Sequence, residues 1–375
     1  MNKVLLIDDE ANNGWKEILE KVLFGDNPIE FALNVPEATE LLNKFKYDII
    51  FLDLRFGEED HDEKNIEKFG GYNLLSDVIR KSLHAVNFST PVILFTASNK
   101  IWNIFEMLQN GADSYYIKEH PDTSFDLEFS RRNFIRLKTN VPDLITLGHL
   151  RQNILIKMLK IIDVSKSKIA NDNIRDRIEE KLKIGYAILF QKNSPFEKDK
   201  LLFNNELMAF IAFWSILEET VKDSFLDHWI KTGEKEGCMS GGNWTLRSGK
   251  RFVENLLTEN NGQLTGCLRL GIEYNRGKYE ENTVDINPGD KDFNFYTGKI
   301  SLSLQIYAAM LLNKGWTAAV AKQKFEDINK FRNRVDFIHS SVSSIFTKKL
   351  SNSQVNQDAM AYCDKMLEFL IEFLA

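Results

Sequence analysis

The amino-acid sequence predicts two kinds of structure in one chain: a doubly wound α/β domain with a parallel five-stranded sheet, followed by an all-α helical domain. Two patterns predict this. Short apolar runs alternate with helical patterns over residues 1 to about 122, whereas from about residue 126 apolar residues recur at three- and four-residue spacing. The length of 375 residues suits two or three domains, since a domain typically has about 100–200 residues.

Five strand-like runs, rich in Val, Ile, Phe and Tyr, occur in the first 122 residues. In chain order they are KVLLI, IEFAL, DIIFLDL, PVILFTA and SYYIK. Helical patterns near 14–24, 36–45, 72–82 and 101–109 separate them. Alternation at this spacing is typical of βαβ units, which place their strands parallel in one sheet.

Side chains that carry chemistry stand where these predicted strands end. Asp8 and Asp9 follow the first run, Asp53 ends the third, Thr96 the fourth and Lys118 the fifth. Ligands bind outside the carboxyl ends of the strands in such sheets, so we expect these side chains to converge. Clustered carboxylates need a cation, and hard oxygen ligands suit Mg²⁺. The pattern predicts a Mg²⁺ site at the three aspartates, with the lysine adding positive charge.

With these residues, the segment 1–122 resembles the receiver domain of two-component response regulators, which has a flavodoxin-like fold. In that family the acidic pair and the strand-three Asp hold Mg²⁺, and the strand-three Asp accepts a phosphoryl group. The resemblance implies that Asp53 is the phospho-acceptor and that Thr96 and Lys118 bind the phosphoryl oxygens. Tyr115, in the run GADSYYIK, is then the switch aromatic. A sensor histidine kinase is the implied partner.

Two stretches depart from the pattern of that family. After Asp53 the chain continues LRFGEEDHDEKNIEKFGG, and this acidic insertion delays the glycine that the family usually reaches sooner. We interpret the insertion as an exposed loop beside the site of phosphorylation. Lys118 is followed by Glu119 and His120 before Pro121, so the resemblance does not carry over the cis Lys–Pro bond of the family.

The chain is predicted to divide into a receiver domain at 1–125, a helical segment at 126–200 and an α-helical output domain at 201–375. The segment 126–200 is either a linker, such as a signalling coiled coil, or the first helices of the output domain. The segment of about 233–298 is dense in Gly, Asn and Asp, which predicts an irregular insertion with one short hairpin.

The strongest helical pattern covers 205–231 and contains a carboxylate on its apolar face. Glu218 falls on the same face as Ile211, Trp214 and Val221. A buried carboxylate is costly unless it is paired. Glu218 should therefore have a basic partner, unless the helix is twisted enough to place it at the surface.

The C-terminal run FRNRVDFIHSS resembles the HEPN family of helical domains, many of which are metal-independent ribonucleases that dimerise. The resemblance rests on Arg332, Asn333, Arg334 and His339, together with Glu218 on the long helix. It implies that His339 acts as general acid or base on a ribose 2′-hydroxyl and that one of the arginines stabilises the phosphorane. A homodimer and an RNA substrate follow as expectations.

Two other interpretations of the helical half stay open. In the first it is a non-enzymatic dimerisation or partner-binding module, and its arginines pair with Glu326, Asp327 or Asp336. In the second it binds DNA through residues 131–184, which include 13 Lys or Arg but only 6 Asp or Glu. The absence of a helix-turn-helix pattern and the formal charge of −6 count against the second.

Composition bounds the location of the protein. The three cysteines, Cys238, Cys267 and Cys363, have no metal-ligand spacing, which favours a reduced compartment. Asp8 interrupts the first apolar run, and no stretch reaches the roughly 18 uninterrupted apolar residues of a membrane span. The expectation is a soluble, cytoplasmic protein.

Overall fold

The computed structural model describes most of the first half of the chain and several separate segments of the second. The described residues are 2–25, 27–56, 65–97, 101–118, 127–190, 205–221, 318–334 and 353–375, with residues 306, 310 and 316 and five short strands between 258 and 286. The chain divides into two compact units, Met1–Leu159 and Lys160–Ala375. The predicted acidic loop after Asp53 lies outside the described residues over 57–64.

A five-stranded parallel sheet forms the centre of the first unit. Its strands are β1 (Val4–Ile7), β2 (Glu30–Ala32), β3 (Ile49–Leu52), β4 (Val92–Thr96) and β5 (Ser114–Ile117), in the order β2-β1-β3-β4-β5. This is the flavodoxin-like order of doubly wound sheets. Strand β2 lies on one side of β1 and the later strands on the other, so the strand order reverses between β1 and β3. The predicted fold class is confirmed.

Helices cover both faces of this sheet. They are α1 (Lys16–Leu23), α2 (Val35–Lys44), α3 (Gly70–Asn73, continued by a π-helical segment Leu74–Ile79), α4 (Ile101–Gln109) and α5 (Leu127–Lys168). The start of α2 shows why a helix begins where it does. The Asn34 side chain accepts a hydrogen bond of 2.9 Å from the Glu37 amide, and Pro36 in the first turn suits a helix N-terminus.

Successive strand residues enter opposite apolar clusters, because side chains alternate along a strand. Leu5 and Ile7 join the cluster under α2, α3 and α4, whereas Leu6 joins the cluster on the other face. Leu137 and Val141 of α5 pack into that second cluster. Burial on both faces explains why the strands are continuous apolar runs.

The end of the sheet opposite the strand tips is tied together by a buried ion-pair network. The Asp113 carboxylate, almost fully buried, accepts from Arg80 Nη2 at 3.2 Å and from Arg151 Nη1 at 2.7 Å. It also accepts a 2.9 Å hydrogen bond from the backbone amide of Val92. Arg151 lies on α5, so this network joins the long helix to β4 and to the end of α3.

The second unit is mainly helical, as predicted. Its described helices are α6 (Asp172–Phe190), α7 (Asn205–Val221), α8 (Ala318–Arg334) and α9 (Ser353–Leu374). Helices α6 and α7 approach so closely at Gly185 that a Cβ there would lie 2.3 Å from the ring of Phe213. Aromatic pairs join α7 to α8, with Trp214 stacked on Phe325 at 5.6 Å between ring centroids. Of the predicted helix 205–231, residues 222–231 lie outside the described part.

The insertion at about 233–298 is more regular than predicted. Its described strands are β6 (Thr258–Asn260), β7 (Gln263–Leu268), β8 (Glu273–Asn275), β9 (Lys278–Glu280) and β10 (Val284–Ile286), which form two small antiparallel sheets. The pairing of Asn260 with Gln263 leaves Asn261 and Gly262 between the strands. Asn-Gly is a strong short-range hairpin signal. The strands β8 and β9 pair in the same way, so the described strands form more than the one hairpin predicted.

The division into units also differs from the predicted boundary at 125. Contacts group α5 with the sheet as far as Leu159, since Leu137 and Val141 are part of its core. The predicted segment 126–200 is described over 127–190 and contains α5 and α6. Among the helices of the described residues, none has the length and apolarity to cross a membrane.

Candidate functional site

Three of the predicted site residues lie in direct contact at the carboxyl ends of the strands. The Lys118 ammonium, just after β5, is 2.6 Å from Asp53 Oδ2 and 2.9 Å from Asp8 Oδ2. All three side chains are buried. Residues 45 and 65 positions apart in sequence thus meet because β1, β3 and β5 end at the same edge of the sheet.

Asp9 completes an acidic cluster whose donors fit a divalent cation. One carboxylate oxygen from each of Asp8, Asp9 and Asp53 lies within 4.8 Å of the others. Asp8 and Asp53 are buried, whereas Asp9 is partly exposed. Three hard oxygen donors with access to water from one side suit Mg²⁺, which keeps several of its waters when it binds protein.

Backbone packing fixes the position of Asp53 at the end of β3. Its amide donates a 2.9 Å hydrogen bond to the Ile7 carbonyl of β1. On the other side Gly71, at the start of α3, comes so close that a Cβ there would lie 2.0 Å from the Asp53 carbonyl oxygen. This is the glycine that follows the acidic insertion, and its lack of a side chain lets α3 pack against the tip of β3.

Burial sets the electrostatics of the pair. The pKa of Asp53 is raised from 3.8 to about 6, mainly by burial; the Lys118 ammonium opposes this shift and the neighbouring Asp8 adds to it. Burial lowers the pKa of Lys118, but the two carboxylates outweigh this effect and hold it above its ordinary value. The lysine therefore stays charged, and the site has an excess of negative charge that favours a cation.

Thr96 and Tyr115 lie on the strands that flank this cluster. Thr96, at the end of β4, is buried, and its carbonyl accepts a 2.8 Å hydrogen bond from the Lys118 amide. Tyr115 on β5 is partly exposed, and its ring lies 4.3 Å from the guanidinium carbon of Arg136 on α5. The Arg136 guanidinium also donates to the hydroxyl and the carbonyl of Tyr115, each at 3.3 Å.

The basic partner expected for Glu218 is Arg332, across the α7–α8 interface. Their charged atoms are 3.6 Å apart, and the Glu218 carboxylate accepts a 2.7 Å hydrogen bond from Trp214 Nε1. Burial lowers the pKa of Arg332, and Glu218 opposes that shift. Two of the alternative partners are engaged with lysines, Glu326 with Lys330 and Asp327 with Lys365. The third, Asp336, lies outside the described residues.

The remaining residues of the HEPN resemblance are described only in part. Asn333 and Arg334 lie at the end of α8, but their side chains are outside the described set, and so is the whole of His339. The predicted cluster of Arg, His and Glu therefore stays a prediction beyond the Arg332–Glu218 pair.

One residue at this edge of the sheet was not anticipated from the sequence. Asn133 on α5 donates a 3.0 Å hydrogen bond to the Ile117 carbonyl, next to Lys118. A signal existed, because Asn133 is four residues before Leu137 and eight before Val141, on the apolar stripe of the helix. A polar side chain on such a stripe needs a partner, but the sequence does not reveal which.

The strand order and the acidic cluster at its turning point give the first unit a flavodoxin-like fold with the candidate site at the carboxyl ends of its strands. A scan of protein-family models gives no match to the chain, and a comparison with curated proteins gives none either. Among solved structures, the chain is similar to the receiver domain of the Francisella response regulator 1452, with 24% identity over 39% of this chain and 98% of that one, and a TM-score of 0.28.

Two further structures have comparable similarity. A two-component response regulator from Clostridium difficile is 25% identical over 37% of this chain and 99% of its own, with a TM-score of 0.26. The response regulator TrrA from Thermotoga maritima, in complex with Mg²⁺ and BeF, is 24% identical over 36% of this chain and 99% of its own, also with a TM-score of 0.26.

Proposed function

We propose that the first unit is the phosphoryl-accepting receiver of a two-component phosphorelay and that Asp53 accepts the phosphoryl group. The observation that carries this proposal is the contact of the buried Asp53 carboxylate with Lys118, beside Asp8 and Asp9. An ammonium ion at 2.6 Å from a carboxylate favours its ionised form, and the same positive charge is available to the phosphoryl oxygens. The proposed phosphodonor is a sensor histidine kinase in the cytoplasm.

The chemistry is an in-line displacement at phosphorus. A carboxylate oxygen of Asp53 forms a new P–O bond and gives an acyl phosphate, while the bond between phosphorus and the donor breaks. The electron pair of that bond leaves with the donor group, which takes up a proton. The Lys118 ammonium stabilises the negative charge on the carboxylate before the transfer and on the phosphoryl oxygens after it. Thr96, at the end of β4, binds one of these oxygens.

Asp8, Asp9 and Asp53 would hold Mg²⁺ in this proposal. The ion supplies positive charge that offsets the repulsion between the carboxylates and an incoming phosphoryl group. Without it, the negative charge of the three carboxylates opposes the approach of a phosphodonor. We therefore expect phosphorylation to depend on a divalent cation.

Covalent labelling by a small phosphodonor tests this function. Incubation of the full chain with acetyl phosphate and MgCl₂ should add one phosphoryl group, which hydroxylamine removes because it is an acyl phosphate. The adduct, measured by intact mass spectrometry, should be absent when EDTA replaces MgCl₂. Asp53→Asn should abolish it, whereas Asp77→Asn, an exposed aspartate on the continuation of α3, should leave it unchanged. Equal labelling of Asp53→Asn and wild type would overturn the proposal.

Phosphorylation is proposed to control the second unit through α5. This helix begins after β5 and continues to Lys168, beyond the end of the first unit at Leu159. Its residue Arg136 contacts Tyr115, the proposed switch aromatic. A change in the position of that tyrosine alters a contact of α5 directly. The negative charge added at Asp53 thereby shifts the equilibrium between two arrangements of α5. A homodimer whose interface responds to phosphorylation is the proposed assembly.

A second candidate concerns the helical half, which we propose as a HEPN-type metal-independent ribonuclease. The supporting observation is the pairing of Arg332 with Glu218 across two helices, as the resemblance implies. The competing proposal is a non-enzymatic dimerisation or partner-binding module. In that case the same ion pair stabilises the bundle, and Trp214 and Arg332 serve packing alone.

Cleavage of RNA by the full chain separates these candidates. A ribonuclease should cut RNA in EDTA, and His339→Ala should reduce the rate by at least about 100-fold, the usual effect of losing a general acid or base. Lys365→Ala, which removes an exposed ion pair with Asp327, is the matched control and should retain activity. Equal cleavage by wild type and His339→Ala, or none by either, would favour the partner-binding module. Steeply salt-dependent binding of duplex DNA would favour a DNA-binding output.

A further inference from the structure

The peptide unit between Ile117 and Lys118 is held from both sides. Its N–H donates to the Thr96 carbonyl of β4 at 2.8 Å. Its carbonyl faces the other way and accepts from Asn133 Nδ2 of α5 at 3.0 Å. Because a peptide unit is planar, two opposed hydrogen bonds fix both its position and its tilt. The Cα of Lys118 is part of that plane.

The carbonyl of Ile117 needs such a partner because β5 is an edge strand. In the order β2-β1-β3-β4-β5, none of the described strands lies beside the outer side of β5, so the backbone groups on that side have no ladder partners among these strands. The Tyr115 carbonyl, two residues earlier on the same side, accepts from Arg136 Nη2. Asn133 and Arg136 are three residues apart on α5, so one face of the helix supplies both donors.

Asn133 is chemically suited to a positioning role. It is 9% exposed, and it lies on the apolar stripe of α5 with Leu137 and Val141. A carbonyl oxygen only accepts, so the amide NH₂ must face it. Such a buried amide costs stability unless it is bonded. An apolar residue would fill the same space without that cost, yet it would not hold the carbonyl.

Residue 119 makes this bond important for Lys118. A proline directly after a residue restricts the backbone of that residue, but Lys118 is followed by Glu119. The ammonium must nevertheless lie within hydrogen-bonding distance of two different carboxylates, at 2.6 Å from Asp53 and 2.9 Å from Asp8. An error of about 1 Å at such a site is costly in rate.

We propose that Asn133 is the positioning residue for Lys118: its hydrogen bond to the Ile117 carbonyl holds the lysine between Asp8 and Asp53. This inference rests on the proposed phosphoryl transfer to Asp53 for its effect on rate. Its structural part, the position of the ammonium, does not depend on that function. Asn133 acts through the backbone and does not contact the reacting atoms.

Asn133→Leu tests the proposal, because leucine has the same number and branching of side-chain heavy atoms and suits an apolar stripe but cannot donate a hydrogen bond. The matched control is Asn110→Leu, which removes an amide that donates to the Glu106 carbonyl at 2.9 Å in α4. Two measurements are made on each full-length variant. The first is the NMR chemical shift of Lys118 Nζ and Cε without donor or metal. The second is the rate constant for Asp53 labelling at saturating acetyl phosphate and MgCl₂.

We expect Asn133→Leu to move the Lys118 resonances and to reduce the maximal labelling rate constant by about 10- to 100-fold. The MgCl₂ concentration for half-maximal labelling should change by less than the rate constant, because the three aspartates themselves are not substituted. The Asn110→Leu control should match wild type in all three. In a Lys118→Ala background, Asn133→Leu should have no further effect on rate, as a double-mutant cycle requires when one residue acts through the other.

The outcomes distinguish this inference from the proposed function. Lys118 resonances that do not move in Asn133→Leu overturn the inference, whether or not the protein is phosphorylated. So does an equal loss of rate with and without Lys118, which indicates a general effect on folding. If wild type takes no label at all, the proposed function fails, while the resonances still decide whether Asn133 positions the lysine.

Discussion

Asp53→Asn should stabilise the first unit by about 3 kcal/mol at pH 8, although it removes the proposed phospho-acceptor. Burial raises the pKa of Asp53 from 3.8 to about 6, so the folded state binds a proton more tightly than the unfolded state. At pH 8 the carboxyl is ionised in both states, and its ionisation in the folded state costs folding free energy that asparagine avoids. The stabilisation should shrink as the pH falls from 6 to 4, where the wild-type carboxyl becomes protonated in both states.

Urea-dependent hydrogen exchange of peptides from β3 and β4 measures this effect in the first unit separately from the second. Asp77→Asn is the control: its carboxylate is exposed beside Ser76, and its stability should stay within about 0.5 kcal/mol of wild type. Saturating MgCl₂ should stabilise wild type more than Asp53→Asn, because the variant has lost one of three carboxylates. A variant less stable than wild type at pH 8 would show that Lys118 offsets the burial of Asp53 in full.

Asp113→Ala should destabilise the first unit by about 3–5 kcal/mol, the usual cost of removing one partner of a buried ion pair. The change leaves the guanidinium groups of Arg80 and Arg151 without the carboxylate that they share. It also leaves the Val92 amide without its 2.9 Å acceptor. The same exchange measurement should show the loss in β4 and in the part of α5 near Arg151, since the network joins these elements.

Two variants separate the role of charge from that of packing at this position. Asp113→Asn keeps the size and one acceptor oxygen, so it should cost less than alanine. Glu17→Ala removes a surface ion pair with Lys21, whose side chains are 74% and 68% exposed, and should change stability by less than about 0.5 kcal/mol. If Asp113→Ala were no worse than Glu17→Ala, the network would contribute nothing measurable to the fold.

Much of the candidate site followed from the sequence, because it depends on a rule of geometry. Parallel strands end at the same edge, so Asp8, Asp53 and Lys118 could be expected together once three strands had been recognised. The expected basic partner of Glu218 could be anticipated as a charge, but its identity could not. Arg332 is 114 positions away in the sequence. Helical periodicity contains no information about which face of another helix lies opposite.

The sequence by itself determined the parallel sheet, its strand-end chemistry and the helical character of the second half, because these depend on local periodicity and on the residues at strand ends. Only the tertiary structure decided that Asn133 donates to the Ile117 carbonyl, that Asp113 joins two arginines, and that α5 belongs with the sheet as far as Leu159. These contacts depend on how a helix is rotated and placed against an edge strand. That placement results from the packing of the whole core, to which many residues contribute small free energies.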